Sequence, residues 1–349
     1  MKIGILTHPL GTNYGGILQC YALYSYLKSE GHNPIIIHRQ ANKSFFLWRW
    51  IRYILKKLHF PRYYTAPASI IDRIANIRPF IQNHLILTAP IQSSRDVNSV
   101  CGKYGFEAVV VGSDQVWRAD FASKYGFNYF LDFVPSDVIK FSYAASFGVS
   151  TWGYSTRQTK KIRRLLKSFN GISVREEDGI KLCEENLGVT PQLLIDPTLL
   201  ISADEYSKIS SQRLVDGKYV FVYWLGDNLL VKNDIENLEN KGYKIININL
   251  RDKTILPSVE DWLSYIKYAD IVLTDSFHGC VFSIIFQRSF IIKNNQSGGY
   301  GRLKTLFKLL NIDGNPVNQE SSSIDYMAVS HNIENLQSQS KRYIQSIIK

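Results

Sequence analysis

Four short segments of this sequence place polar or charged side chains directly after runs of apolar residues, where they could carry chemistry. The last of them, Thr274–Gly279, lies between an apolar strand-like run and an apolar helix-like run. Ser276 can cap such a helix, whose free backbone amides and partial positive charge suit a phosphate group. A histidine at position 278 could give or take a proton near neutral pH. The spacing also fits a capping serine beside a packed histidine, so it leaves both interpretations open.

Arg175 follows the short apolar run Ile172–Val174. A guanidinium group forms two-point contacts with a carboxylate or a phosphate, so this position suits an anionic ligand. The alternative is a surface arginine paired with Glu176 or Glu177.

Asp114 and Trp117 follow the apolar run Ala108–Val111 and could bind a sugar, the carboxylate through hydroxyl groups and the indole against the ring. The alternative is an aspartate that caps the next turn. The loop Gly11–Gly16 lacks both the phosphate-binding pattern of P-loop proteins and the G-x-G-x-x-G dinucleotide pattern. It is therefore weak evidence for a ligand when taken alone.

Residues 45–60 show a different pattern, in which basic and apolar positions recur at helical spacing. Arg49, Arg52 and Lys56 would form a basic stripe, with Trp48 and Trp50 beside the apolar face. Such a helix can lie on an anionic membrane surface. The alternative is a helix that buries its apolar face against its own domain.

Alternating strand-like and helix-like runs must position these residues. One series occupies the first half of the chain and a second begins at Lys218, with polar residues 207–217 between them. We therefore predict an α/β protein with two doubly wound, Rossmann-like domains that face a cleft. The predicted limits are 1–206 for the N-terminal domain, 217–322 for the C-terminal domain and 323–349 for a helical tail. Loops at the carboxyl ends of the strands would point into the cleft.

Length and composition narrow the function classes. The chain has 349 residues, 45% hydrophobic and 20% charged, which favours two globular domains over disorder or a coiled coil. No apolar run reaches the ~18 residues that span a bilayer, so we expect a cytoplasmic protein. The four cysteines are scattered without metal-ligand spacing and predict neither a metal site nor a disulfide. The net charge of +11 indicates anionic partners.

Taken together, these segments resemble the polysaccharide pyruvyl transferase family over most of the chain, from the first residues to about Phe307. The resemblance lies in the order and spacing of the motifs Lys2–Leu6, Asn13–Gly15, Val111–Trp117, Ser142–Gly148, Ile172–Glu176, Ile195–Leu200 and Thr274–Gly279. It implies a fold like that of GT-B glycosyltransferases. It also implies transfer of a pyruvyl group from phosphoenolpyruvate to a sugar of a cell-surface polysaccharide, such as a capsule or exopolysaccharide. The product would be a ketal, with release of phosphate.

The resemblance assigns His278 and Arg175 to the phosphoenolpyruvate donor, which is a co-substrate, and no other cofactor or metal is implied. We expect His278 and Asp114 to be catalytic. The expected donor-binding residues are Arg175, Ser276, His278 and Gly279, and the expected acceptor-binding residues are Asn13, Tyr14, Asp114 and Trp117. Many relatives carry arginine and leucine where this chain has Ser276 and Phe277.

Three further expectations concern partners and alternatives. The acceptor could be lipid-linked, and the basic stripe Arg49, Arg52 and Lys56 would then hold the protein on the inner face of the plasma membrane. One alternative is a sugar-nucleotide-dependent GT-B glycosyltransferase, because one fold hosts many activities. The other is a non-catalytic nucleic-acid-binding protein. The basic residues are spread over several predicted helices instead of forming a known binding motif, so we expect no nucleic acid.

Overall fold

The computed structural model describes residues 1–40, 72–226, 228–250, 255–293, 300–312 and 324–349. The predicted membrane-facing helix at 45–60, with Arg49, Arg52 and Lys56, lies outside the described residues. Among the described residues, no helix is both long and apolar enough to cross a membrane.

The first sheet contains the strands β1 (Lys2–Leu6), β2 (Asn33–Ile36), β3 (Ala108–Val111) and β4 (Ile139–Ser142) in the order β2-β1-β3-β4, and all neighbours are parallel. A short parallel pair, β5 (Ser173–Val174) and β6 (Gln192–Leu193), continues beyond β4 through the bridges Phe141–Gly171 and Ala145–Val174. The strand β3 is buried along its whole length, as expected for a parallel strand covered on both faces.

The second sheet contains β7 (Tyr219–Trp224), β8 (Lys244–Asn249), β9 (Ile271–Thr274) and β10 (Ser289–Ile292) in the order β10-β9-β7-β8, again all parallel. The strands of the first sheet lie within the predicted domain 1–206 and those of the second within 217–322. The α/β class and the two GT-B-like, doubly wound units are therefore confirmed.

Helices connect the strands and cover the sheets. They are α1 (Tyr14–Ser29), α2 (Arg78–His84), α3 (Ser94–Tyr104), α4 (Ala119–Ala122), α5 (Thr156–Leu166), α6 (Glu177–Leu187), α7 (Ala203–Ile209), α8 (Lys232–Asn240), α9 (Val259–Lys267), α10 (Phe277–Ile285), α11 (Tyr300–Leu310) and α12 (Tyr326–Ile347). Short 3-10 turns occupy Ser123–Tyr125, Asn128–Phe130, Pro197–Leu199 and Asn228–Val231. The tail helix α12 returns to the first sheet, where the Tyr343 hydroxyl donates to the Ser142 carbonyl at 2.8 Å.

The start of α1 joins the two halves of the molecule. Tyr14 is fully buried, stacks on Trp262 of α9 at a centroid distance of 5.3 Å, and donates its hydroxyl to the Pro257 carbonyl at 2.7 Å. One cluster of buried apolar side chains accordingly runs from β1 through α1 to the helices of the second sheet. Burial of this apolar surface stabilises the arrangement of the two sheets.

Two details differ from the sequence prediction or extend it. The helix after β1 begins at Tyr14, although the sequence suggested a loop over Gly11–Gly16. A side chain at position 15 would collide with His278, so this first turn needs glycine there. The four cysteines are all buried in the interior, which extends the sequence prediction.

Candidate active site

The site lies at the point in each sheet where the order of the strands reverses. In the first sheet the crevice opens between β1 and β3, and in the second between β7 and β9, which are the positions where ligands of such sheets bind. Asp114 follows β3, and Ser276 and His278 follow β9. Because the carboxyl ends of the two sheets face each other, residues from distant segments of the chain meet in one place.

A buried chain of alternating charges forms the centre of the site. Asp196, between β6 and the turn Pro197–Leu199, lies against the Arg175 Nη1 atom. The Nη2 atom of Arg175 lies 3.9 Å from Asp114 Oδ1 on the other side, and His278 Nε2 lies 3.6 Å from Asp196 Oδ2. All four side chains are at most 7% exposed. The structure therefore brings together three residues predicted from sequence, and it adds Asp196.

The neighbouring cations keep both carboxylates ionised. Burial by itself would raise the pKa of Asp196, but Arg175 and His278 hold that pKa well below its usual range. Burial opposes ionisation of Asp114 in the same way, yet the charges of His8, Arg175 and His278 lower its pKa. Asp196 is further fixed by Thr198, whose amide and hydroxyl both donate to Oδ1 at 3.0 and 2.7 Å.

Contact with Gly15 fixes the position of the His278 ring. A methyl group placed on Gly15 would lie 2.0 Å from His278 Nδ1 and 2.2 Å from its Cγ atom. The imidazole from the second half of the molecule thus rests directly on the backbone of α1. Its Nε2 atom is buried and has no hydrogen-bond partner among the described residues.

Ser276 has the helix-capping role that its spacing suggested. The Ser276 side chain accepts a hydrogen bond from the Gly279 amide at 3.3 Å and is the N-cap of α10. A side chain on Gly279 would meet Thr274 Oγ1 at 2.5 Å, so the helix packs closely on β9. His278 lies in this first helical turn, where the helix dipole favours negative charge.

A second arginine, which sequence reasoning missed, lies beside the first. The Arg175 guanidinium lies 4.6 Å from the centroid of the Phe277 ring, and that of Arg302 lies 5.6 Å from the same ring. Arg302 is in α11, and its Nε atom is buried without a hydrogen-bond partner among the described residues. Burial and the like charge of Arg175 lower the pKa of Arg302 to about 10. Two cations held this close favour a bound anion.

Glu176 anchors the loop that follows β4. Its Oε1 atom accepts hydrogen bonds from the Ser146 hydroxyl and from the amides of Phe147 and Gly148, at 2.9, 2.8 and 3.1 Å. The pairing of Arg175 with Glu176, which the sequence left open, is thus replaced by pairing with Asp196. Glu176 instead holds the backbone beside the arginine.

A cavity of about 620 Å³ opens next to the charged centre. It is lined by His8, Pro9, Thr12, Asn13, Gly16, Asp114, Gln115, Phe121, Lys124 and Tyr125. Asn13 Nδ2 donates to Asp114 Oδ2 at 3.3 Å, and the Gln115 amide donates to Asp114 Oδ1 at 2.9 Å. Asp114 has a φ of 71°, a left-handed conformation that non-glycine residues seldom adopt and that often marks functional positions.

Two residues of the predicted acceptor set do not reach this cavity. Trp117 is fully buried, stacks on Phe130 and donates its indole N–H to the Tyr129 carbonyl at 2.9 Å. Tyr14 is equally buried against Trp262. Both rings belong to the packed interior of this structure and do not line the cavity, so a role for Trp117 and Tyr14 in acceptor binding stays a prediction from the sequence. The aromatic rings that line the cavity are Phe121 and Tyr125, both partly exposed.

Among the residues that the structure describes, no group of three or more His, Cys, Asp or Glu side chains is arranged to hold a metal ion.

Comparison with known proteins identifies a family and a fold. The family model for polysaccharide pyruvyl transferase matches residues 13–297. The solved structures that resemble the chain include UDP-GlcNAc 2-epimerase from Neisseria meningitidis bound to UDP-GlcNAc, with a TM-score of 0.52, 11% identity, and coverage of 100% of this chain and 94% of that chain.

Two further structures resemble it at a similar level. A putative UDP-N-acetylglucosamine 2-epimerase from Listeria monocytogenes has a TM-score of 0.51 and 10% identity, with 98% of this chain and 90% of that chain covered. An α-glucosyltransferase in complex with UDP and DNA has a TM-score of 0.50 and 9% identity, with 98% and 92% covered. At these identities the likeness concerns the fold alone. Comparison with curated protein sequences gave no significant match.

Proposed function

The chain belongs to the polysaccharide pyruvyl transferase family, and we propose that it transfers a pyruvyl group from phosphoenolpyruvate to a sugar of a cell-surface polysaccharide or its lipid-linked precursor. The product is a pyruvate ketal that bridges two sugar hydroxyl groups, and inorganic phosphate is released. Family membership implies the pyruvyl transferase activity and the sugar acceptor. Phosphoenolpyruvate as the donor, and the residues that handle it, are our proposal.

The reaction requires both an acid and a base. A proton is added to the methylene carbon of phosphoenolpyruvate, and the neighbouring carbon becomes electron-deficient. One acceptor hydroxyl attacks that carbon, the bond to the phosphate oxygen breaks, and the second hydroxyl closes the ketal. The two hydroxyl protons balance the reaction, since one proton is gained by the new methyl group and one leaves with the phosphate. Proton transfer of this kind contributes about 10²- to 10⁴-fold to a rate.

The observation that carries the proposal is the cluster of buried nitrogen atoms around Phe277 that have no hydrogen-bond partner among the described residues. Arg175 has no hydrogen-bond partner for Nε or Nη2 among the described residues, and the same holds for Arg302 Nε and His278 Nε2. Buried polar groups of this kind are costly unless a ligand satisfies them. Phosphoenolpyruvate carries a carboxylate and a phosphate ester on the same carbon atom, and these two anionic groups match two guanidinium groups and a helix N-terminus.

His278 is the residue that we assign to proton donation. It lies at the N-terminal turn of α10, between Asp196 and the backbone of Gly15, where its ring has little freedom to turn. From this position His278 can transfer a proton to the methylene carbon of a donor held by Arg175 and Arg302.

We assign the acceptor to the cavity beside Asp114. The carboxylate lines the cavity and is ionised, so it can accept hydrogen bonds from sugar hydroxyl groups. Phe121 and Tyr125 offer ring faces for the apolar side of a sugar. Asn13 orients Asp114 by its hydrogen bond to Oδ2. The lipid linkage of the acceptor and the contact of Arg49, Arg52 and Lys56 with an anionic membrane are proposals from the sequence alone.

The test is to incubate the protein with phosphoenolpyruvate and a panel of p-nitrophenyl hexosides, nucleotide-linked sugars and lipid-linked sugars. We expect release of phosphate together with a sugar product that has gained one pyruvate less one water. His278→Ala should reduce this turnover by about 10²-fold or more, while circular dichroism shows an unchanged fold. Binding of phosphoenolpyruvate is measured separately by calorimetry, because that step needs no acceptor.

The sugar-nucleotide glycosyltransferase is the competing function, and its donor distinguishes it. Consumption of a nucleotide sugar, without binding of phosphoenolpyruvate, would overturn the proposed function. Wild-type-like turnover in a well-folded His278→Ala variant would leave the function in place and remove His278 from its catalytic role.

A further inference from the structure

His8 is a second imidazole at the site, and neither the sequence motifs nor the donor chemistry accounts for it. It follows β1 and lines the cavity together with Asp114. Its Nδ1 atom lies 3.1 Å from the Tyr129 hydroxyl, and its ring is edge-to-face with Phe121 at a centroid distance of 5.7 Å. The Nε2 atom is buried and has no hydrogen-bond partner among the described residues.

Both imidazoles belong to the same charged network. His8 lines the cavity together with Asp114, and ion pairs link Asp114 to Arg175, Arg175 to Asp196 and Asp196 to His278. Neither Nε2 atom has a hydrogen-bond partner among the described residues. An acid and a base separated by the donor-binding arginine are what the addition of a hydroxyl to an enol carbon requires.

Asp114 is the poorer candidate for the base. Both of its oxygens already accept hydrogen bonds, Oδ1 from the Gln115 amide and Oδ2 from Asn13 Nδ2. Its position suits the binding and orientation of a sugar hydroxyl.

We propose that His8 is the general base that accepts the proton of the attacking acceptor hydroxyl, an inference that rests on the proposed pyruvyl transfer. In the tautomer that the step needs, Nδ1–H donates to the Tyr129 oxygen and the lone pair of Nε2 faces the hydroxyl. The O–H bond breaks as the new C–O bond to the donor forms, and the proton moves to Nε2. His8 then releases this proton to solvent and His278 takes one up, which restores the starting state.

The pH dependence follows from the groups that face His8. They are Asp114 from the segment after β3, Tyr129 from the turn Asn128–Phe130, and Lys124 and Tyr125 from the turn before it. Burial keeps the Tyr129 phenol protonated by raising its pKa. A general base acts in its neutral form and a general acid in its protonated form, so we expect kcat to decline at both low and high pH.

The test compares wild type with His8→Gln, which keeps a polar side chain of similar length but cannot take up a proton. We expect kcat for pyruvyl transfer to the p-nitrophenyl hexosides to fall by about 10²-fold or more, with KM and Kd for phosphoenolpyruvate unchanged. The low-pH decline of kcat should disappear in the variant, while the high-pH decline persists. Tyr129→Phe should lower kcat less and shift the low-pH decline. His84→Gln, at the end of α2, is the matched control and should behave as wild type.

The outcomes separate the two proposals. If wild type neither binds phosphoenolpyruvate nor releases phosphate from it with any acceptor of the panel, both the proposed function and this role fail. If wild type transfers the pyruvyl group and His8→Gln keeps its kcat and its low-pH decline, only the role of His8 is overturned. A variant that loses donor affinity as much as turnover would place His8 on the donor side and equally overturn the assignment.

Discussion

The contact between Gly15 and His278 makes Gly15→Ala a sharp perturbation of the site. An added methyl group would lie 2.0 Å from Nδ1, 2.2 Å from Cγ and 2.6 Å from Cβ of the imidazole. These distances are far below van der Waals contact, so the ring must move. Since His278 lies at the start of α10, either its side chain rotates or the whole helix end shifts away from α1.

The expected size of the effect differs between stability and activity. Overpacking a close contact costs about 1–3 kcal/mol, whereas exchange of glycine for alanine within a helix gains up to about 1 kcal/mol. The free energy of unfolding should therefore fall by about 0–3 kcal/mol. Turnover should fall much more, because misplacing a reacting group by about 1 Å can cost 10²-fold.

Gly102→Ala is the matched control. Gly102 lies in α3, and an added methyl group there meets no atom within 4 Å. That variant should gain about 0.5–1 kcal/mol in stability and keep its turnover. Urea denaturation gives the free energies, and release of phosphate from phosphoenolpyruvate with a p-nitrophenyl hexoside acceptor gives the rates.

Two results would refute the reasoning. A Gly15→Ala protein with wild-type turnover would show that the position of His278 against α1 is not needed for the reaction. A protein that loses activity only in proportion to its unfolded fraction would show that the contact serves stability alone.

Four other outcomes are expected. Arg175→Lys should raise KM for phosphoenolpyruvate by about 10- to 100-fold, since a charge-assisted hydrogen bond contributes about 1.5–3 kcal/mol, while KM for the acceptor hardly changes. Trp117→Ala should lower the free energy of unfolding by about 3–5 kcal/mol, measured in urea, because the indole is fully buried. The pKa values of Asp114 and Asp196 are lower in the folded protein than in the unfolded chain, so the stability they contribute is complete above about pH 4 and lost below it. Urea titrations across that range measure the loss, and Asp196→Asn should reduce the slope. Replacing Arg49, Arg52 and Lys56 with glutamine should weaken the binding free energy for anionic vesicles by about 1 kcal/mol per cation, as measured by co-sedimentation.

The sequence was sufficient to predict the architecture and part of the centre of the site. Buried parallel strands are continuous apolar runs, so β3 and β9 are visible in the sequence as Ala108–Val111 and Ile271–Thr274. Residues that follow such strands converge at the carboxyl ends of the sheets. From this rule we expect Asp114, Arg175 and His278 to lie close together, and in the structure all three belong to one charged network.

The features that escaped prediction depend on contacts between distant segments. Arg302 lies in a helix of ordinary amphipathic appearance, and only its approach to Phe277 marks it as part of the site. Trp117 was expected at the surface of the cleft, but apolar neighbours such as Phe130 draw its ring into the core. Glycine at position 15 looked like a loop residue, since no local pattern reveals that a histidine 263 positions later (278 − 15) occupies the space of its missing side chain.

The Arg175–Asp196 pair explains why an arginine suits this position. Asp196 engages Nη1 and is itself held by Thr198, so one end of the guanidinium is fixed inside the protein. The planar fork still leaves Nε and Nη2 for another anion. A lysine ammonium is a point charge, and Asp196 would draw it towards the interior. In the proposed function, Arg175→Lys would keep the charge at this position but lose the two-point contact with the donor, so we expect a positive charge alone to be insufficient there.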